Sequence, residues 1–237
     1  MVNQFSRFEL LIGQEKLAKL SEKTIAIFGL GGVGGHACDA LARSGIVNFV
    51  LIDNDVVSVS NINRQIIADL DTLGKNKVDV MKERILKINK NANVKIVPEF
   101  FLPNNNNIDF SSFDYVIDAI DTITSKIEIA RICNEMNIPL ISSMGTGNKL
   151  DPTKLEISDI FKTSYCPLAK VMRHELKKRG INRLKVVYSK EKPIKINQSD
   201  IKEEQNNRKS IPGSSAFVPS VAGIIIASEV VKDIINE

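Results

Sequence analysis

The tightest constraint on this chain is a short glycine-rich stretch, Gly29-Leu-Gly-Gly-Val-Gly-Gly35. It stands between an apolar run, Thr24–Phe28, and a segment that reads as helix, His36–Arg43. Gly29, Gly31 and Gly34 fit G-x-G-x-x-G, a turn that lays the phosphates of a nucleotide on a helix N-terminus. Such a turn belongs at the end of a parallel strand. The glycines alone leave open whether the nucleotide carries hydride or is cleaved.

The rest of the chain agrees with that setting. β-branched runs predict strands near 24–28, 48–52, 94–97, 114–118, 138–142 and 184–188. Between and after them, apolar spacing predicts helices near 33–43, 75–89, 125–136, 168–179 and 219–235. In the second of these, Val78, Met81, Ile85 and Ile88 form a core-facing stripe, with Lys82, Glu83 and Lys87 outward. Alternating strands and helices predict an α/β fold: a Rossmann-like, mostly parallel sheet with helices on both faces, plus a C-terminal extension. No linker divides the 237 residues, so a single domain is expected, nucleotide-binding over 1–150 and basic over 151–237. Asn104–Asn107 and the polar stretch 195–213 are expected as loops, the second of them mobile.

Composition closes off other classes. An apolar share of 43% with 25% charged residues suits an ordinary soluble core. No run approaches the ~18 apolar residues of a membrane span. The first residues lack a secretory layout, and Cys38, Cys133 and Cys166 are spaced for neither a disulfide framework nor a zinc quartet. A cytoplasmic protein is expected.

The residues beyond the glycine turn decide which nucleotide it takes. Asp53 ends the second strand, nineteen residues beyond Gly34, where an acidic residue takes a ribose hydroxyl in NAD and ATP sites alike. Next come Asp55-Val-Val-Ser-Val-Ser-Asn-Ile-Asn-Arg-Gln65 and Gly74-Lys-Asn-Lys-Val78. A triphosphate about to lose pyrophosphate needs fixed cations. Arg64 offers a planar fork, and Lys77 a compact charge at a helix start. Asp118-Ala-Ile-Asp121 comes directly after the apolar strand Tyr115–Ile117, placing carboxylates where a Mg²⁺ ion would be shared with phosphates. The combination points to ATP.

These motifs resemble the ubiquitin-activating-enzyme superfamily of carboxylate adenylators over about residues 5–150. The resemblance implies that Asp53 binds ribose, that Arg64 and Lys77 contact phosphates, and that Asp121 holds Mg²⁺. It also implies that Arg7, in Phe5-Ser-Arg-Phe8, reaches the ATP of a neighbouring subunit in a homodimer. The candidate catalytic residues are therefore Arg7, Arg64, Lys77 and Asp121. The candidate nucleotide contacts are Gly29, Gly31, Gly32, Gly34, Asp53, Asp55, Asn61, Arg64, Gln65, Lys77, Asp118 and Asp121.

The second half narrows the substrate. Sulfur-carrier adenylators often hold a zinc ion with paired C-x-x-C motifs, and this chain has none. From Lys170 to Lys192 it carries nine Lys or Arg against Glu175 and Glu191. Such a cluster is either a solvated face or the footprint of a polyanion. Over nearly its whole length the chain is similar to the tRNA threonylcarbamoyladenosine dehydratases. That resemblance implies activation of a threonyl carboxylate as an acyl-adenylate, and then ring closure. Arg173, Lys177, Lys178, Arg179, Arg183 and Lys185 are then the candidate contacts to the backbone of a tRNA anticodon arm. Cys166 is either a covalent participant or a thiol in the turn before Pro167. Cys38 and Cys133 read as core, and His36 as a helix-surface residue. A sulfur-transfer partner goes with the resemblance, and the Met144–Asn148 loop is a candidate for a monovalent cation. Adenylation of a small sulfur-carrier protein is the rival activity. A nicotinamide dehydrogenase and a non-enzymatic nucleotide-binding module stand further off.

Overall fold

The computed structural model describes residues 2–103, 108–196 and 212–236. The strands are β1 (Thr24–Phe28), β2 (Asn48–Ile52), β3 (Asn93–Val97), β4 (Tyr115–Asp118), β5 (Leu140–Ser143), β6 (Leu155–Asp159) and β7 (Lys185–Ser189). They form one sheet in the order β3-β2-β1-β4-β5-β7-β6. Neighbours run parallel, except that β6 lies antiparallel to β7 at the edge. After β1 the chain fills one side of the sheet with β2 and β3, then returns to place β4 on the other side of β1. That reversal opens a crevice at the carboxyl ends of β1 and β4, where ligands of open α/β sheets bind.

The helices are α1 (Ser6–Ile12), α2 (Gln14–Glu22), α3 (Gly34–Arg43), α4 (Lys77–Ile88), α5 (Ile123–Met136), α6 (Pro167–Lys178) and α7 (Val218–Asn236). Period-two alternation divides each central strand between two cores. Ile25, Ile27, Phe49, Leu51, Tyr115 and Ile117 pack under α3, α4 and α7. Ala26, Phe28, Val50, Ile52 and Val116 pack on the other face with Phe101, Phe110, Phe113 and α5. Because both faces are covered, these strands read as unbroken apolar runs rather than alternating ones.

Each expected strand and helix is present to within a few residues, and Val78, Met81 and Ile85 are fully buried with Ile88 partly so. Three elements escaped the pattern. Helix α1 buries no residue and α2 only Leu20, so neither carries a broad apolar stripe. Strand β6 is half-buried along its whole length and lies at the sheet edge, where the pattern is weakest.

The C-terminal part is more than an extension. Strand β7 pairs with β5 inside the sheet. Helix α7 lays Ala222, Ile226, Val230 and Ile234 into the main core, while Ile224 faces solvent at 52% exposure. Each large side chain buried this way contributes about 1.5–3 kcal/mol. Cys38 and Cys133 are core residues as expected, and burial pushes the Cys133 thiol up to about 12. His36 is half-buried, and that burial lowers its proton affinity. The expected loop at Asn104–Asn107 and most of the expected mobile loop at 195–213 lie outside the described residues.

Candidate active site

The glycine turn sits at the crevice, between the end of β1 and the start of α3. Gly29 has φ 88°, and its N–H donates to the Ile52 carbonyl at 2.8 Å. A Cβ on Gly34 would lie 1.9 Å from the Gly29 carbonyl oxygen, so only glycine lets the turn close on itself. Gly31 differs. A Cβ there would meet nothing closer than the Gln65 amide nitrogen at 3.9 Å. The space over Gly31 is open, as a phosphate cradle requires.

Around this turn the structure gathers most of the sequence candidates. Asp53, just past β2, accepts from the Leu30 N–H at 2.6 Å and from the Asp55 N–H at 2.8 Å. Its carboxylate is thereby pinned to the glycine turn, and burial raises its proton affinity above that of an ordinary aspartate. Lys77 opens α4, is almost wholly buried, and donates from Nζ to Asp55 at 2.7 Å. Its charge therefore coincides with the positive end of a helix.

Arg64 packs directly on the turn. A Cβ on Gly32 would lie 3.3 Å from the Arg64 carbonyl oxygen and 3.4 Å from its Cγ. The guanidinium donates from Nη1 to the Ser60 carbonyl at 2.6 Å and to Asn63 Oδ1 at 2.8 Å. Burial lowers its proton affinity, and among the described residues no carboxylate pairs with it. A half-buried cation held only by neutral oxygens, beside an open phosphate cradle, is an anion site. Gln65 adds to this: it is 6% exposed, and its Oε1 is buried without a partner among the described residues. That oxygen calls for a donor such as a ribose hydroxyl or a bound water.

Two candidates prove to be scaffolding. Asn61 uses its side-chain oxygen to accept from the Ser58 N–H at 3.2 Å, which shapes the 58–65 turn. Asp118 is 1% exposed and forms an ion pair with the fully buried Lys126 at 2.9 Å. It also accepts from Ser142 Oγ at 2.6 Å. Lys126 Nζ donates onward to the Ile120 carbonyl at 3.1 Å. Asp118 therefore braces the loop after β4. Asp121, three residues on, is exposed in the loop that follows the carboxyl end of β4. Among the described residues no three or more His, Cys, Asp and Glu side chains form a metal cage. Lys126 was invisible in the sequence, where a lysine on a helix reads as a surface residue.

Residues 4–237 match the model of the ThiF family. The chain belongs to the ThiF family. It is 46% identical to the tRNA threonylcarbamoyladenosine dehydratase of Bacillus subtilis (strain 168), over 100% of this chain and 96% of that protein. To the protein of the same name from Escherichia coli (strain K12) it is 42% identical, over 70% of this chain and 63% of that one. Its fold is similar to the crystal structure of the E. coli dehydratase TcdA in complex with ATP. That match has a TM-score of 0.87 and 33% identity, covering 98% of this chain and 94% of the other.

Other sequence candidates of this ThiF-family chain lie outside the glycine turn. Arg7 is exposed on α1, and its side chain makes no hydrogen bond or ion pair among the described residues. Cys166 is 3% exposed at the N-cap of α6, ahead of Pro167, which agrees with a turn thiol. The Gly145 carbonyl, in the loop considered for a monovalent cation, accepts from the Lys149 ammonium at 2.8 Å, so a side-chain cation already stands there.

The basic cluster is divided by the fold. Helix α6 is about 18 Å long and runs away from the crevice, from Cys166 beside Gly145 toward the edge where β7 begins. Lys185 is half-buried and already paired, with Glu229 at 2.9 Å and Asp233 at 2.7 Å. Lys178 and Arg179 share Glu175, at 2.9 and 2.8 Å, and hold its carboxyl down to about 2. Arg173 donates to the Thr163 carbonyl at 3.1 Å and to its hydroxyl. Lys170, Lys177 and Arg183 are exposed and have no ion pair among the described residues.

Proposed function

We propose that this chain is an ATP-dependent tRNA threonylcarbamoyladenosine dehydratase. The observation that carries the reading is Arg64, packed on an open glycine cradle and given no carboxylate partner among the described residues. The substrate's threonyl carboxylate attacks the α-phosphate of ATP, pyrophosphate leaves, and an acyl-adenylate forms. A nitrogen of the substrate's own urea then displaces AMP and closes a ring. One carboxylate oxygen leaves with AMP, so the net change in the nucleoside is loss of water.

Each residue has a task in this scheme. Asp53 holds the ribose, while Arg64 and Lys77 stabilise charge on the leaving pyrophosphate. Asp121 would hold Mg²⁺, which supplies Lewis-acid neutralisation of the phosphates. Asp118 and Lys126 keep the Asp121 loop in place. Ring closure is intramolecular, so positioning supplies much of its rate and no enzyme nucleophile is needed. In this reading Arg7 completes the site of a second copy. Its helix supports that: it exposes Leu10 at 84% and Leu11 at 81%, an apolar surface that a homodimer would cover. Acting on tRNA, the enzyme works in the cytoplasm.

The test is mass spectrometry of nucleosides from threonylcarbamoylated tRNA after incubation with ATP, Mg²⁺ and this protein. The expected result is loss of one water from the modified nucleoside, abolished by Asp121→Ala. Unchanged nucleosides, together with ATP–pyrophosphate exchange driven by a diglycine-tailed protein, would move the activity to sulfur-carrier adenylation.

The division of the basic cluster gives a second expectation. Replacing Lys177 and Arg183 by glutamine is expected to flatten the log–log salt dependence of tRNA binding by about two units in total. Lys185→Gln should leave the slope unchanged, because that charge is already matched within the fold. Equal slopes for all three proteins would remove α6 from the tRNA surface.

A further inference from the structure

Arg64 is held at the cradle by a residue far from it in sequence. Its Nη1 donates to Asn63 Oδ1 at 2.8 Å. Asn63 Nδ2 in turn donates to the Ser214 carbonyl at 3.0 Å, which ties the 58–65 turn to the chain just before α7. That chain is itself anchored one residue earlier. The Gly213 N–H donates to Asn148 Oδ1 at 2.7 Å, and the Asn148 N–H donates back to the Gly213 carbonyl at 2.8 Å. The Asn148 carbonyl accepts from the Ile194 N–H at 2.8 Å. One asparagine therefore clasps the chain on both sides of residues 197–211, using its main-chain N–H, its main-chain carbonyl and its side-chain oxygen.

The residue type suits the task. Asn148 has φ 58°, a left-handed conformation open to glycine and tolerated by Asn and Asp. Glycine would keep the conformation and lose the acceptor. Aspartate keeps both.

We propose that Asn148 is a positioning residue for Arg64, acting through Gly213, Ser214 and Asn63 to fix the guanidinium against the phosphate cradle. This rests on the reading that Arg64 meets the phosphates of ATP. Without the Asn148 side chain, the Gly213 N–H loses its acceptor in the loop after β5, and the Ser214 carbonyl that Asn63 bonds is held less firmly. Arg64 then samples other rotamers, and its contact with the triphosphate weakens.

The experiment measures ATP affinity by calorimetry, and dehydration kinetics over an ATP titration, on the full chain. In Asn148→Gly the Kd and KM for ATP should rise about 3- to 10-fold, and kcat at saturating ATP should fall as well, because Arg64 also acts on the leaving pyrophosphate. Asn148→Asp should restore ATP affinity to within about twofold. Combining Asn148→Gly with Arg64→Ala should weaken binding no further than Arg64→Ala alone, because the clasp acts only through that guanidinium. Should Asn148→Gly be insoluble, Asn148→Ser carries the same comparison. Unchanged ATP affinity in Asn148→Gly, equal weakening in Asn148→Asp, or additive losses in the double variant would each overturn the proposal. The underlying reading fails differently: Arg64→Ala would bind ATP as tightly as the parent.

Discussion

Replacing Lys126 by methionine is expected to destabilise the protein by about 3–5 kcal/mol, the usual loss when one member of a buried ion pair is removed. Both partners are almost wholly excluded from water, at 0% and 1% side-chain exposure. Methionine fills similar volume, so the loss comes from the charge left on Asp118 and not from a cavity. Ser142 and the Ile120 N–H still reach that carboxylate, but neutral donors do not balance a full charge in a dry interior. The check is denaturant unfolding of parent and variant, and then of the double variant Lys126→Met with Asp118→Asn. Removing both charges should recover much of the loss, because the pair is costly mainly when half of it is present. A single variant within about 1 kcal/mol of the parent, or strictly additive losses in the double variant, would show that the pair does not hold this loop. Because the same loop carries Asp121, activity should fall in the single variant even at temperatures where it stays folded.

Gly34→Ala and Gly31→Ala should separate folding from binding within one turn. At Gly34 the new methyl would lie 1.9 Å from the Gly29 carbonyl oxygen, which the main chain relieves only by opening the turn. A cost of about 3 kcal/mol or more is expected, above the ordinary overpacking range, together with loss of ATP binding. At Gly31 the methyl meets nothing closer than 3.9 Å. Stability should therefore stay within about 1 kcal/mol of the parent. ATP affinity should still fall by at least about tenfold, because the methyl occupies the space a phosphate needs. Thermal unfolding with and without ATP distinguishes the two: ATP should raise the melting temperature of the parent and of neither variant. If Gly31→Ala bound ATP as well as the parent, the cradle would not be where the phosphates lie.

Much of this was legible in the chain itself. Apolar runs of strand length, helical spacing between them and the placement of Gly29, Gly31 and Gly34 specify a parallel sheet with a phosphate turn. These are local properties, set by backbone sterics and by the period of each element. The order Asp53, Arg64, Lys77, Asp121 along the chain likewise points to a cleaved triphosphate, because each residue comes directly after a recognisable strand, turn or helix start.

Sequence spacing did not contain which charges meet. Lys126 and Asp118 are eight residues apart and look like a surface lysine and a site carboxylate, yet the fold buries them against each other. Lys185 sits within a basic run, yet the fold hands it to Glu229 and Asp233 on α7, more than forty residues away. Asn148, in a loop with no chemical motif, reaches Arg64 only because β5, the segment before α7 and the 58–65 turn converge at one edge of the sheet. The order of residues was enough to specify the class of fold and the kind of ligand, because backbone geometry and glycine placement act over a few positions. Which cations are left for phosphate was settled in three dimensions, because pairing and burial depend on distances between segments that the linear chain does not encode.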